Sequence, residues 1–118
     1  MERMVKTIKV QQVIDMLDLE VVTGNSLEKE VKGGYVGDLL SNVMAKAEAG
    51  NIWVTIQGHQ NVIAIALLID VSAVIVAENF DIDEKAVERA EEKGVNLLRS
   101  SLSAYEIVGR LYENGITT

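Results

Sequence analysis

Val10, Val13, Ile14 and Leu17 recur at i, i+3, i+4 and i+7, which predicts a short amphipathic helix; residues 19–23 then read as a strand. After the turn Gly24-Asn25-Ser26, a second short strand covers about residues 30–35. Its Gly33-Gly34 pair suggests a bulge or a close backbone approach. From Asp38, placed to act as an N-cap, Leu39, Leu40, Val43, Met44 and Ala47 form one helical stripe that Gly50 closes. Residues 52–56 are β-branched and aromatic with no helical period, so they read as a buried strand, and the polar turn Gln57-Gly58-His59-Gln60-Asn61 follows.

Residues 62–69 are apolar on every side, and periodicity alone cannot separate a buried helix from a central strand. The alternation of strands and helices around them favours a helix. Residues 73–77 form the next strand. Asp81-Ile82-Asp83-Glu84 opens a charged helix with Ala86, Val87 and Ala90 facing inward and Gly94 ending it. Residues 95–99 read as a short strand, and Ser103-Ala104-Tyr105-Glu106 as a capping box that starts a last helix running to about Asn114. Helices alternating with strands from Asp38 onward are the signature of parallel strands joined by crossovers. The expected fold is therefore a three-layer α/β domain, residues 1–118, with a mainly parallel sheet, helices on both faces and a short irregular N-terminal strand pair.

Composition narrows the function classes. The chain has 118 residues, 48% hydrophobic and 25% charged, which suits one compact domain and is neither disordered nor fibrous. Eleven Lys plus Arg against 18 Asp plus Glu give a net charge of −7, which disfavours sequence-independent binding to nucleic acid or to an anionic membrane. There is no cysteine, hence no disulfide framework, thiolate metal site or thiol nucleophile, and a reducing interior fits. Met1-Glu2-Arg3-Met4-Val5-Lys6 is charged and precedes no long apolar run, unlike a signal peptide or membrane anchor. A cytoplasmic location is expected.

Ligands of open parallel sheets bind beyond the carboxyl ends of the strands, where loops meet helix N-termini. That rule selects Gln57, Gly58, His59, Gln60 and Asn61; Glu78 and Asn79; and Ser100, Ser101 and Ser103. Each is also explained by ordinary loop polarity, with Asn61, Asn79 and Ser103 capping helices; their convergence on one edge is the stronger ground for a ligand site. Gly33 and Gly34 join the set as a segment able to approach a ligand closely. His59 is the single histidine and has no Cys or second His to share a metal. No Gly-x-Ser-x-Gly, no Gly-Lys-Ser/Thr and no Gly-x-Gly-x-x-Gly occurs, so acyl transfer, P-loop phosphoryl transfer and dinucleotide-dependent redox chemistry are not expected. No metal or cofactor is expected. Tyr105 and Tyr112, two helical turns apart, with Val108 and Leu111 give the last helix a second apolar edge suited to a homodimer.

Three strings, Gly34-Tyr35-Val36-Gly37-Asp38-Leu39-Leu40-Ser41-Asn42-Val43-Met44, Ile52-Trp53-Val54-Thr55-Ile56-Gln57 and Leu102-Ser103-Ala104-Tyr105-Glu106-Ile107, resemble the DRTGG domain in its small stand-alone form. The resemblance covers nearly the whole chain and rests on glycine, helix-start and packing positions. It implies a fold like the N-terminal domain of HPr kinase/phosphorylase and the middle region of long phosphate acetyltransferases. In pyrophosphatases the domain accompanies CBS domains, and there the family binds diadenosine polyphosphates across a dimer. It further implies a role near redox or hydrogenase enzymes. Where many members carry Gly-Asp-Arg, this chain has Gly58-His59-Gln60; where they carry Thr-Gly-Gly, it has Ala77-Glu78-Asn79. Losing an arginine and gaining a glutamate makes that edge less favourable to phosphate.

The resulting expectation is a non-catalytic regulatory domain, homodimeric, sensing a small ligand such as an adenine nucleotide. The alternative is a ligand-free adapter or accessory factor for a redox, hydrogenase or signalling enzyme.

Overall fold

A computed structural model describes residues 7–117. The expectation for Met1–Lys6 lies outside the described residues. The elements are β1 (Ile8–Lys9), α1 (Val10–Leu17), β2 (Glu20–Thr23), β3 (Glu30–Val31), β4 (Gly33–Val36), α2 (Leu40–Lys46), β5 (Asn51–Thr55), α3 (Gln60–Ile69), β6 (Ala73–Val76), α4 (Glu84–Lys93), β7 (Leu97–Arg99) and α5 (Ala104–Glu113). The main sheet has the order β2-β7-β6-β5-β4, and a small second sheet pairs β1 with β3. β4, β5, β6 and β7 are parallel neighbours, and β2 closes the far edge antiparallel to β7.

β5 and β6 are buried on both faces, so their side chains alternate between two apolar layers and read in sequence as unbroken hydrophobic runs. Ile52, Val54, Ala73, Ile75 and Leu98 pack under α1 and α5, with Val10, Val13, Ile107 and Leu111 above them. Trp53, Val74, Val76 and Leu97 face the other way, into Val43 of α2, Val62, Ile63 and Ala66 of α3, and Ala86 and Ala90 of α4. The three layers and the helical state of residues 62–69 agree with the sequence reading. A parallel β5–β6 pair requires a crossover, and α3 supplies it.

Several local expectations change. A small N-terminal antiparallel pair is present, but it joins β1, which the sequence did not mark as a strand, to β3; the strand read at 19–23 and the later part of the one read at about 30–35 do not pair with each other and form the two opposite edges of the main sheet. The second of these breaks at Lys32 into β3 and β4. Gly33 and Gly34 form no bulge: they pair in regular parallel register with Asn51 and Ile52. The last strand begins at Leu97, and the Asn96 side chain before it bridges Ser26 and Ser72, donating to both carbonyls at 2.9 Å. In α2 only Val43 is fully buried, while Leu39 is 69% and Met44 49% exposed. Among the described residues, no helix is long and apolar enough to cross a membrane.

Candidate functional site

The carboxyl ends of β4, β5, β6 and β7 lie at one edge of the sheet, and each is followed by a loop with a specific backbone arrangement. Behind β4, the Gly37 N–H donates to the Val54 carbonyl at 3.1 Å, and the buried Trp53 indole N–H donates to the Gly37 carbonyl at 2.9 Å. Asp38 does not cap α2. Its carboxylate accepts the Thr55 hydroxyl at 2.7 Å and the Ile56 N–H at 2.9 Å, and its carbonyl accepts the Gln57 side-chain amide. The helix starts two residues later, with Leu39 at the N-cap and no side-chain cap. A carboxylate takes this role because the end of β5 offers a hydroxyl and a ladder-free N–H, and hydrogen bonds to a charged acceptor are strong.

Behind β5, Gly58 is required by close approach. A Cβ there would lie 2.1 Å from the Asp81 carbonyl oxygen and 2.7 Å from Ile82 Cα. The Gly58 carbonyl accepts the Asp83 N–H at 2.9 Å, fastening this loop to the start of α4. His59, not Asn61, caps α3: its Nδ1 accepts the Asn61 N–H at 3.1 Å. Asn61 sits exposed in the first helical turn.

Behind β6, Glu78 and Asn79 both have left-handed backbone angles, φ 58° and 53°, and the Phe80 N–H donates to the Ala77 carbonyl at 3.2 Å. Two consecutive positive φ values under such a bond are the pattern of a type I′ turn, which favours Gly or Asn. Asn79 is therefore a turn residue and caps no helix. The Glu78 N–H reaches the Leu102 carbonyl and the Asn79 N–H the Ser100 carbonyl, each at 2.9 Å, so this turn is tied to the loop behind β7. In that loop the buried Ser100 Oγ accepts the Leu102 N–H at 3.1 Å, and Ser103 Oγ caps α5 by accepting the Glu106 N–H at 3.2 Å. The reciprocal half of the capping box is not made. The Glu106 carboxylate accepts from Arg110 one turn on, at 2.6 Å.

The sequence-selected residues thus fall into separate places. Asn79, Ser100 and Ser101 line one polar cleft of about 440 Å³, together with Asp18, Glu20, Arg99 and Arg110. Gln57, Gly58 and His59 pack against Val62, Ile63, Ile82 and Ala86. Gln60 faces α4 beside Lys85, Glu88 and Arg89. Glu78 is exposed at its turn. Ser103 borders a larger open groove of about 750 Å³ along α5, and Gly34 a smaller apolar cavity of about 180 Å³ between β4 and α5; Gly33 is buried. The two arginines of the cleft were missed by the sequence reading. Arg99 ends the predicted strand at 95–99, so the carboxyl-edge rule pointed next to it; Arg110 lies two turns inside a helix and carried no signal.

Arg99 Nε donates to Glu20 at 3.1 Å, across the antiparallel β2–β7 pair. With Asp18 present as well, the cleft contains two cations and two carboxylates. Among the described residues, no group of three or more His, Asp or Glu side chains is placed to hold a metal ion.

A three-layer α/β domain with its loops fastened pairwise at the carboxyl edge and an open polar cleft beside them is the class these features define. The family model for the DRTGG domain matches residues 12–113, and the chain belongs to that family. A similar solved structure comprises the CBS and DRTGG domains of the regulatory region of Clostridium perfringens pyrophosphatase, complexed with the activator diadenosine tetraphosphate. It superposes with a TM-score of 0.73 at 14% identity, over 93% of this chain and 50% of that one. The likeness establishes the fold, and this chain spans about half the length of that relative. No curated protein matches the chain.

Proposed function

We propose that this DRTGG domain is a non-catalytic regulatory module that senses a small ligand of the adenine-nucleotide class and acts as a homodimer. The observation that carries the reading is the cleft at the carboxyl edge, where Asn79, Ser100 and Ser101 meet two arginines in a space of about 440 Å³. That volume falls within the range of small-molecule sites, roughly 300–1,000 Å³. The relative in complex with diadenosine tetraphosphate supports the ligand class. Gln57 and His59 contribute indirectly, by holding the Asp38 strap and the start of α3.

Thermal unfolding with a panel of adenine nucleotides and dinucleotides tests this. A ligand at a hundred times its dissociation constant adds about 2.7 kcal/mol, a rise of roughly 8–16 °C in Tm for a domain of this size. The rise should shrink in Ser101→Ala and Asn79→Gly. No rise with any compound would refute the sensor reading.

A second reading, a partner-docking adapter, is favoured by the outer stripe of α5. Tyr105 is 91% and Tyr112 60% exposed, and Gly109 lies between them on the same stripe with open space around it. Light scattering checks the dimer; a monomeric mass at tens of micromolar would refute it.

A further inference from the structure

Arg99 and Arg110 are each held by a carboxylate that an anionic ligand could replace. Arg99 uses Nε to reach Glu20, and its side chain is 29% exposed; Arg110 uses one terminal nitrogen to reach Glu106. A guanidinium carries five N–H donors, so each pair leaves most donors unused among the described residues. Both arginines border the same cleft as the Ser100 and Ser101 hydroxyls.

We propose that this cleft recognises a nucleoside phosphate by ion-pair exchange, the phosphate displacing Glu20 from Arg99 and Glu106 from Arg110. The inference rests on the sensor reading above and deepens it by assigning the phosphate to two arginines outside the loops first selected. Phosphate offers more acceptor oxygens than a carboxylate and matches the bidentate geometry of the guanidinium fork, which favours the exchange. Asp18 remains in the cleft as an acceptor. A bare inorganic anion would meet it with repulsion, whereas a ligand carrying hydroxyl or amino donors as well as phosphate would satisfy it. The cleft therefore suits a nucleoside phosphate better than phosphate or pyrophosphate.

The exchange also supplies a readout. The Arg99–Glu20 pair links edge strand β2 to β7, and the Arg110–Glu106 pair spans one turn of α5. Releasing both frees Glu20 in the cleft and Glu106 on the neighbouring outer face of α5, and changes the surface charge presented by β2 and α5.

Isothermal titration calorimetry with ADP and with sodium pyrophosphate, on the full chain and its variants, tests the proposal. Arg99→Gln and Arg110→Gln should each weaken ADP binding about tenfold or more, the cost of one charge-assisted contact. Glu20→Gln and Glu106→Gln should tighten it severalfold, since the competing carboxylates are gone; a purely structural role for these glutamates would not. Pyrophosphate should bind more weakly than ADP. Circular dichroism and urea midpoints establish that each variant folds. ADP affinity unchanged in all four variants would overturn the clamp and leave the sensor reading standing. Arginine-dependent binding of pyrophosphate with none of ADP would overturn the nucleoside part of both, while no binding of either would refute both.

Discussion

Replacing Gly58 by alanine should destabilise the domain through backbone collision alone. The added Cβ would sit 2.1 Å from the Asp81 carbonyl oxygen, 2.7 Å from Ile82 Cα and 3.0 Å from the Asp81 carbonyl carbon. Carbon meets oxygen at about 3.3 Å, so one segment must move by roughly 1 Å. All three obstructing atoms are main chain, and no side chain can swing aside. The same movement opens the 2.9 Å bond from Asp83 N–H to the Gly58 carbonyl. Overpacking of this kind costs about 1–3 kcal/mol and a lost hydrogen bond about 1 kcal/mol, which sums to about 2–4 kcal/mol. Trp53 is the single tryptophan and is fully buried, so its fluorescence reports urea unfolding without a label. The internal control is Gly109→Ala. Gly109 lies inside α5 with nothing within 4 Å of an added Cβ, and the same chemical change there should stabilise by about 0.5–1 kcal/mol through helix propensity. A Gly58→Ala unfolding free energy within about 0.5 kcal/mol of the parent would refute the contact between the 57–59 loop and the start of α4.

Glu78→Gly should stabilise by about 1 kcal/mol, since an exposed residue at φ 58° gives up its side-chain strain; an unchanged or lower urea midpoint would count against the left-handed turn. Asp38→Ala should cost about 2–3 kcal/mol, because the Thr55 hydroxyl and the Ile56 N–H both lose a charged acceptor, and Asp38→Asn should recover part of it. His59→Ala should lose about 0.5–1 kcal/mol as the cap of α3 disappears, whereas Asn61→Ala, at an exposed helical position, should be close to neutral; equal effects would contradict the observed cap.

The order of helices and strands was legible because it depends on local signals. The i, i+3, i+4, i+7 spacing of Val10, Val13, Ile14 and Leu17 puts four side chains on one helical face whatever lies above it, and all four are buried. Runs such as Ala73 to Val76 are apolar on both faces because a strand in mid-sheet has no solvent side. The ends of elements were less legible. Asp38 has the residue type of an N-cap, yet the Thr55 hydroxyl and the Ile56 N–H, seventeen and eighteen positions away, claim its carboxylate. Glu106 stands three residues after Ser103 as a capping box requires, but Arg110 offers a charged donor one turn away.

Sequence alone determined the α/β class, the parallel core and the loops at its carboxyl edge, since hydrophobic period and glycine punctuation are properties of neighbouring residues. Only the tertiary structure decided which of those loops meet. It brought Asn79, Ser100 and Ser101 to one cleft, set Gln57 and His59 to local hydrogen bonds, and added Arg99 and Arg110 from a strand end and a helix interior. It also sent β2 and β4 to opposite edges of one sheet. Strand partners are chosen by contacts between distant segments, and no local pattern records a pairing such as Glu20 with Arg99, 79 positions apart.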